Sequence, residues 1–246
     1  MRHRVTTTVA FALLAIAAVP AIGWASSGGV GLTSSGPMKP SANVQSGNIT
    51  VSATADGITL ATRTSALLRR QLTFSGTAPR ADAGKTIEVD RLGHETGWGW
   101  AETVTATVTR NGSFSAVWDT NHIGQFSIRA VLEGAARAAS AAPMVTVTVY
   151  LPALATMYGP GFWGDHTACG EKLKKSTLGV ANRTLKCGTK VAIFYGGRTL
   201  VVPVIDRGPY ANGADWDLTE ATDTALRIPG TATIGAVSLP RAPAGR

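Results

Sequence analysis

The stretch Val201 to Tyr210, VVPVIDRGPY, holds the residues best suited to chemistry. The β-branched Val201, Val202, Val204 and Ile205 read as a short buried strand, and Pro203 marks a stretch of its backbone that lacks a ladder partner. The strand ends in Asp206-Arg207, where Gly208-Pro209 turns the chain away. Asp206 is thereby set on the lip of an apolar core. Desolvation favours a neutral carboxyl there, while an adjacent guanidinium favours the ionised form. That balance suits a general acid/base, and it equally describes a structural carboxylate bonded to Arg207 or to turn N–H groups. Cys169 and Cys187 are the only cysteines. In an exported chain they read as one disulfide, closing a loop of about 18 residues and stabilising it by about 3 kcal/mol in the chain-entropy model. With no CxxC and only His166 nearby, no metal site is expected.

Strands are needed to position these groups. Lys190–Tyr195 and Arg198–Ile205 read as a hairpin about Gly196-Gly197, a turn that needs positive φ. Asp217-Leu218-Thr219-Glu220 has capping-box spacing, with Asp217 as N-cap of a helix running to about Arg227 and stopped by Pro229-Gly230. Thr233–Leu239 supplies a last strand. Upstream, alternating pairs such as Ile58-Leu60, Leu72-Phe74, Ile87-Val89, Phe114-Ala116 and Val145-Val147 predict seven or eight short strands over 48–150. Asp56-Gly57 and Asn111-Gly112 are turn signals, the second reading as a two-residue hairpin. Strands at that spacing over about 100 residues suggest an immunoglobulin-like β-sandwich, although no cysteine pair lies inside it. His94, Glu95 and Glu102 near Trp98 and Trp100 could form a sugar-stacking platform; the plainer reading is that both indoles fill one face of a strand. The fold expected is mainly β, with two domains in 246 residues.

The beginning of the chain reads differently. Arg2 and Arg4, an apolar run from Val9 to Val19, and small residues about Gly23-Trp24-Ala25 predict a signal peptide over 1–25. An uncleaved anchor is the rival reading. Residues 26–47, rich in Ser, Gly and Pro, read as a flexible linker, and 241–246 as a tail. Removing Arg2 and Arg4 from 23 basic residues leaves 21 against 15 acidic ones, a net charge of +6. A modest positive excess suits an anionic cell-wall surface. The cations are scattered, with only Lys172, Lys174 and Lys175 grouped, so no nucleic-acid partner is expected. No later stretch is apolar enough to span a membrane.

A family resemblance gathers these features. Ala155-Thr156-Met157-Tyr158-Gly159, Thr167-Ala168-Cys169-Gly170-Glu171, Ala181-Asn182-Arg183-Thr184-Leu185, Cys187-Gly188-Thr189, Val204 to Tyr210 and Asp217-Leu218-Thr219 occur in this order. From Ala155 to Val237 the chain resembles the double-psi β-barrel of the RlpA (rare lipoprotein A) family, related to expansin and barwin-like barrels. The resemblance implies a closed six-stranded barrel over 151–240 with short helices, and cleavage of peptidoglycan glycan strands by a lytic transglycosylase reaction without a cofactor. A sugar hydroxyl there replaces water, so one acid/base suffices, unlike the two-carboxylate hydrolases. Asp206 matches the family's aspartate and is the candidate acid/base; Glu171 matches its glutamate and is the second catalytic candidate. Tyr158, Trp163 and Tyr210, with Asn182 and Arg207, are candidate substrate contacts. Asn182 stands where many members have His, and Asn cannot transfer a proton; His166 could substitute.

Two function classes follow. One is a secreted wall-lytic enzyme acting on peptidoglycan through Asp206. The other is an expansin-like module that binds or loosens wall polysaccharide without breaking it. A weaker third is an interaction domain that partners another wall hydrolase.

Overall fold

Two-residue turns set the strand registers. Asp56 and Gly57, with φ of 49° and 74°, join Ala55 to Ile58, and Gly196 and Gly197, at 55° and 74°, join Tyr195 to Arg198. Both are the positive-φ hairpin turns that match the twist of the strands they connect. The computed structural model describes residues 43–135, 141–211 and 213–241. The expected leader, residues 26–42 of the expected linker and residues 242–246 lie outside the described residues.

The strands before the barrel are β1 (Gln45–Ser46), β2 (Thr50–Ala55), β3 (Ile58–Arg63), β4 (Ser65–Leu67), β5 (Gln71–Thr77), β6 (Thr86–Leu92), β7 (Trp100–Thr107), β8 (Ser113–Asp119) and β9 (Gly124–Leu132). One sheet runs β2-β3-β5-β8; in the other, β9 lies between β6, which carries β7, and the long β10 (Met144–Tyr158), which carries β4. Alternate residues of both sheets, among them Leu60, Phe74, Ile87, Phe126 and Val147, close one apolar core. Each side chain of that size contributes about 1.5–3 kcal/mol when fully buried. Trp118 packs at its centre, 6.5 Å from the Phe74 ring and 6.0 Å from Phe126.

The turn at Asn111-Gly112 differs from the expected hairpin. β7 pairs with β6 and β8 with β5, so the turn carries the chain from one sheet to the other. Thr109 and Asn111 bond to Ser113 and stabilise the turn locally. Such a signal marks a turn without specifying the sheet that receives the next strand. Trp98 also departs from the strand reading. It lies in the turn before β7 at φ 62°, and only Trp100 enters the strand, where the Arg129 guanidinium stacks 4.2 Å from its ring. Arg129 is itself paired with buried Asp90 at 3.0 Å across β6 and β9.

The boundary expected at 150/151 falls within a continuous strand. Met144–Val149 of β10 pairs with β9, Leu151–Ala155 with β15 (Ala232–Ser238), and Ala155–Tyr158 runs parallel to β14 (Trp216–Thr219). With β11 (Val180–Ala181), β12 (Lys190–Tyr195) and β13 (Arg198–Asp206), the order β10-β14-β11-β13-β12-β15 returns to β10 and closes a six-stranded barrel. Closure removes free sheet edges. Val180, Val191, Ile193, Val202, Val204 and Leu218 fill it. Pro203 lies just before the β11 pairing begins at Val204. One helix, α1 (Glu220–Leu226), is attached, and its N-cap is Thr219, whose hydroxyl accepts from Thr222 N–H. Asp217, expected as the cap, is held in β14 between β10 and β11 instead.

The two halves share a small second core. The Tyr150 ring stacks on Phe194 at 5.3 Å, its hydroxyl lies 2.9 Å from the Thr199 hydroxyl, and Ala192 and Val237 complete the cluster. Gly235 is needed there, since a Cβ would lie 2.8 Å from that of Tyr150. Gln45 and Ser46, at the end of the expected linker, pair with Thr199 and Arg198 of β13. Tyr150→Ala is expected to cost about 3–5 kcal/mol by removing this buried ring, and Tyr150→Phe about 0.5–1.5 kcal/mol by deleting only the hydroxyl bond. Urea unfolding of the three proteins measures both; an unchanged midpoint in Tyr150→Ala would deny the shared core.

Candidate active site

A bulge aims the central aspartate. β11 pairs with β13 at Val180↔Val204 and Ala181↔Asp206, so the register slips and Ile205 has no β11 partner. Bulges of this kind redirect a side chain and recur beside active sites. Here Val204 stays in the barrel core while Asp206 lines an open groove of about 350 Å³. Ile205 packs over Gly179, where a Cβ would lie 2.5 Å from the Ile205 Cδ1. Only glycine fits beneath the bulge.

The Asp206 carboxylate is anchored on one side. Its Oδ1 accepts the N–H groups of Ala168 and Arg207, both at 2.8 Å, and Oδ2 carries no hydrogen bond from the described residues. The Cys169–Cys187 disulfide and the 3.2 Å bond from Cys169 N–H to Ile205 C=O hold the 167–171 loop against β13, bringing the Ala168 N–H within reach.

A second carboxyl faces the same groove. Ala181 pairs with Asp206 on one side and with Asp217 on the other. Residues opposite one another in a sheet share a face, and with strands about 4.8 Å apart the two aspartate backbones stand about 10 Å apart. Burial pushes the Asp217 carboxyl above its ordinary value; the Thr156 hydroxyl, donating to Oδ1 at 2.9 Å, opposes the shift, and the charge of Asp206 adds to it. Tyr158 ends β10 beside this pair. Its buried hydroxyl has no partner among the described residues. Burial raises its pKa above the ordinary phenol value, with the charges of Asp206, Asp217 and Glu171 adding. Tyr158 is thus held as a neutral hydrogen-bond donor.

The other sequence candidates are placed unequally. Tyr210 lines the groove and is 79% exposed. Arg207 also lines it, but its guanidinium donates to the carbonyls of Asn182 and Asp206 at 3.3 Å and approaches the Cys187 sulfur at 3.3 Å. Asn182 turns its Oδ1 to the N–H groups of Thr184 and Leu185, at 3.1 and 2.9 Å, so its side chain stabilises a local turn outside the lining. Glu171 is exposed and outside the lining. Trp163 is also outside it, with Lys175 Nζ 5.4 Å from its ring. Phe162, 57% exposed, supplies the aromatic wall from that loop, and Asp165 and His166 lie along it.

Sequence reasoning missed Phe162, Asp165 and Asp217 as lining residues. Asp217 had a signal: it alternates with buried Trp216 and Leu218, the pattern of a strand with one solvent-facing carboxyl. Arg183 was missed as the support of the Tyr210 loop, donating to the carbonyls of Pro209 and Ala214 at 2.8 and 2.9 Å. Among the described residues no three His, Cys, Asp or Glu side chains are arranged to hold a metal. Chemically, the groove offers three carboxyls, of which Asp217 is raised above its ordinary value, a phenol donor and an aromatic rim.

A carboxyl raised above 3.8 on folding stabilises the protein below that pH, and the benefit is lost as pH rises through the folded value. Asp217→Asn, which retains an acceptor for Thr156, is therefore expected to have a higher melting temperature than the wild type at pH 7. The difference should shrink below about pH 4. Calorimetry across this range checks the sign, and a variant less stable at pH 7 than at pH 4 relative to the wild type would contradict it.

A family model described as "Lytic transglycolase" matches residues 153–239. The "Probable endolytic peptidoglycan transglycosylase RlpA" of Synechocystis sp. is 40% identical over 77 residues, which are 30% of this chain and 24% of that protein. The "Endolytic peptidoglycan transglycosylase RlpA" of Campylobacter jejuni is 36% identical over 85 residues, 33% of this chain and 31% of that protein. The match thus spans a quarter to a third of those relatives' length. A solved structure, "Streptomyces papain inhibitor (SPI)", aligns with 36% of this chain and 93% of its own at 27% identity and a TM-score of 0.31. The carboxy-terminal part of the chain is an RlpA-like double-psi β-barrel.

Proposed function

We propose that the barrel groove cleaves peptidoglycan glycan strands by a lytic transglycosylase reaction, with Asp206 as acid/base. The observation that carries this reading is the pair of aspartates flanking Ala181 and opening into one aromatic-rimmed groove. Burial raises the Asp217 carboxyl, and the charge of Asp206 adds to the shift, so Asp217 holds a proton more readily than an ordinary aspartate. Asp206, with Oδ2 unbonded, passes a proton to the glycosidic oxygen as the C1–O bond breaks. The C6 hydroxyl of the same muramoyl ring then attacks C1, forming a 1,6-anhydro bond, and its proton returns to the carboxylate. No water is consumed, and the departing strand leaves with a new 4-hydroxyl. Asp217 supplies the neighbouring carboxyl, and Tyr158 donates to an acceptor on the sugar. Phe162 and Tyr210 cover the apolar faces of the rings.

One observation favours the alternative of binding without cleavage. Asn182, where many related barrels carry His, has its oxygen taken up by a turn. In that reading the same groove holds polysaccharide and Asp206 is a binding residue. Both readings place the protein in an oxidising compartment at the cell wall, consistent with its disulfide and basic charge. The preceding sandwich, in our reading immunoglobulin-like, serves as a spacer or wall-binding module.

Purified peptidoglycan incubated with the wild type and with Asp206→Asn separates these functions. Mass spectrometry of the soluble products is expected to show anhydro-ended fragments from the wild type, with the rate at least 10²-fold lower in Asp206→Asn. Sedimentation with the wall without any released product would overturn the catalytic reading.

A further inference from the structure

A second groove, of about 360 Å³, lies where the sandwich meets the barrel. That volume is within the range of small-ligand sites. One wall is the turn between β6 and β7 with the first residues of β9; the other is the end of β15 continuing into Pro240. The catalytic carboxyls are absent from its lining.

Trp98 is its most unusual residue. The backbone stands at φ 62°, next to Gly97 at 63°, and its N–H donates to Gly93 C=O at 2.9 Å. A bulky side chain is rare at positive φ. The turn is nevertheless fixed, since the Thr96 hydroxyl accepts from Gly93 N–H at 3.1 Å and donates to Gly99 C=O at 2.6 Å. The result is a half-buried indole presented to the groove, with His94 edge-on to it at 6.4 Å. Beside it the Glu95 carboxylate is held rigid by Arg91, at 3.1 Å to each oxygen, and by His122 at 3.0 Å. Gln125, Ser127 and Ser238 add polar groups along the rim.

This lining selects a class of ligand. Among the described residues no lysine or arginine lines the groove, and nearby Arg91 and His122 are engaged by Glu95, so an anionic group would meet a carboxylate with no free strong cation from those residues. An extended peptide would find no edge to join, because β9 pairs with β6 and β10, and β15 with β10 and β12. A neutral sugar ring has what the groove matches: one apolar face for an indole and hydroxyls around its rim for fixed acceptors and amides. We propose that this junction groove is a second saccharide site, in which a neutral pyranose of a glycan chain stacks on Trp98 and hydrogen-bonds to Glu95 and Gln125. The proposal is independent of cleavage in the barrel groove.

Chitotetraose, four neutral N-acetylglucosamine units, is a suitable probe. Titrated into ¹⁵N-labelled protein, it is expected to shift the Trp98 indole N–H resonance, which Trp98→Phe identifies by its disappearance. Calorimetry on the same proteins should show at least tenfold weaker binding for Trp98→Ala and most of the affinity retained in Trp98→Phe. Exposed Gln125→Ala should weaken binding without disturbing the fold. A Tyr158→Phe, Asp206→Asn double variant should keep the Trp98 shift, whether or not the barrel proves lytic. An unmoved Trp98 resonance would overturn the proposal, as would binding lost only in the barrel double variant. If Trp98→Ala does not fold, the wild-type indole signal and Gln125→Ala still decide.

Discussion

A two-residue strand carries the geometry of the site. Val180 and Ala181 sit between β13 and β14, and the barrel closes through them with the slip that leaves Ile205 without a β11 partner. Without the bulge, the period-two alternation of β13 would not allow Val204 to remain in the core while Asp206 faced Asp217 across Ala181. Ile205 occupies the space above Gly179, so the bulge depends on a missing side chain. Gly179 is also tied to α1, its N–H and C=O both bonded to the Thr222 hydroxyl at 3.0 Å. Helix, bulge and carboxyl pair therefore form one connected unit. The disulfide extends it to the 167–171 loop, whose Ala168 N–H completes the anchoring of Asp206.

Continuity of β10 gives this unit a rigid support. A strand shared by both halves, the Tyr150–Phe194 stack and the β1–β13 pairing leave no flexible hinge in the described residues between sandwich and barrel. A saccharide held at the junction would meet a surface with a fixed relation to the barrel. That distinguishes this arrangement from two domains on a linker, in which binding at one would only raise the local concentration at the other.

Much of this was legible in the sequence. Strand positions followed from alternation, and the turn at Asp56-Gly57 and the hairpin at Gly196-Gly197 from local turn chemistry. The position of Asp206 at the end of a β-branched strand was readable, because the residues on either side specify it. What escaped were features set by distant partners. Asn111-Gly112 joins two sheets, and nothing local distinguishes that from a hairpin. Asp217 has the spacing of a helix cap, but pairing with both β10 and β11 outweighs a cap's contribution of about 1 kcal/mol. Trp163 and Phe162 are adjacent aromatics, and which of them faces the groove depends on how their loop packs, with Trp163 taken up by Lys175. Asn182 lies in a family motif, yet its side chain is used by its own turn.

The account rests on two carboxyls sharing one groove, and carboxyl ¹³C NMR of Asp217 across a pH titration tests that most directly. In the wild type, Asp217 should titrate above the ordinary aspartate value of 3.8, and neutralising its neighbour by Asp206→Asn should bring the midpoint down. An ordinary midpoint that does not respond to Asp206→Asn would mean that the two groups do not sense each other, and the paired-carboxyl site would have to be abandoned.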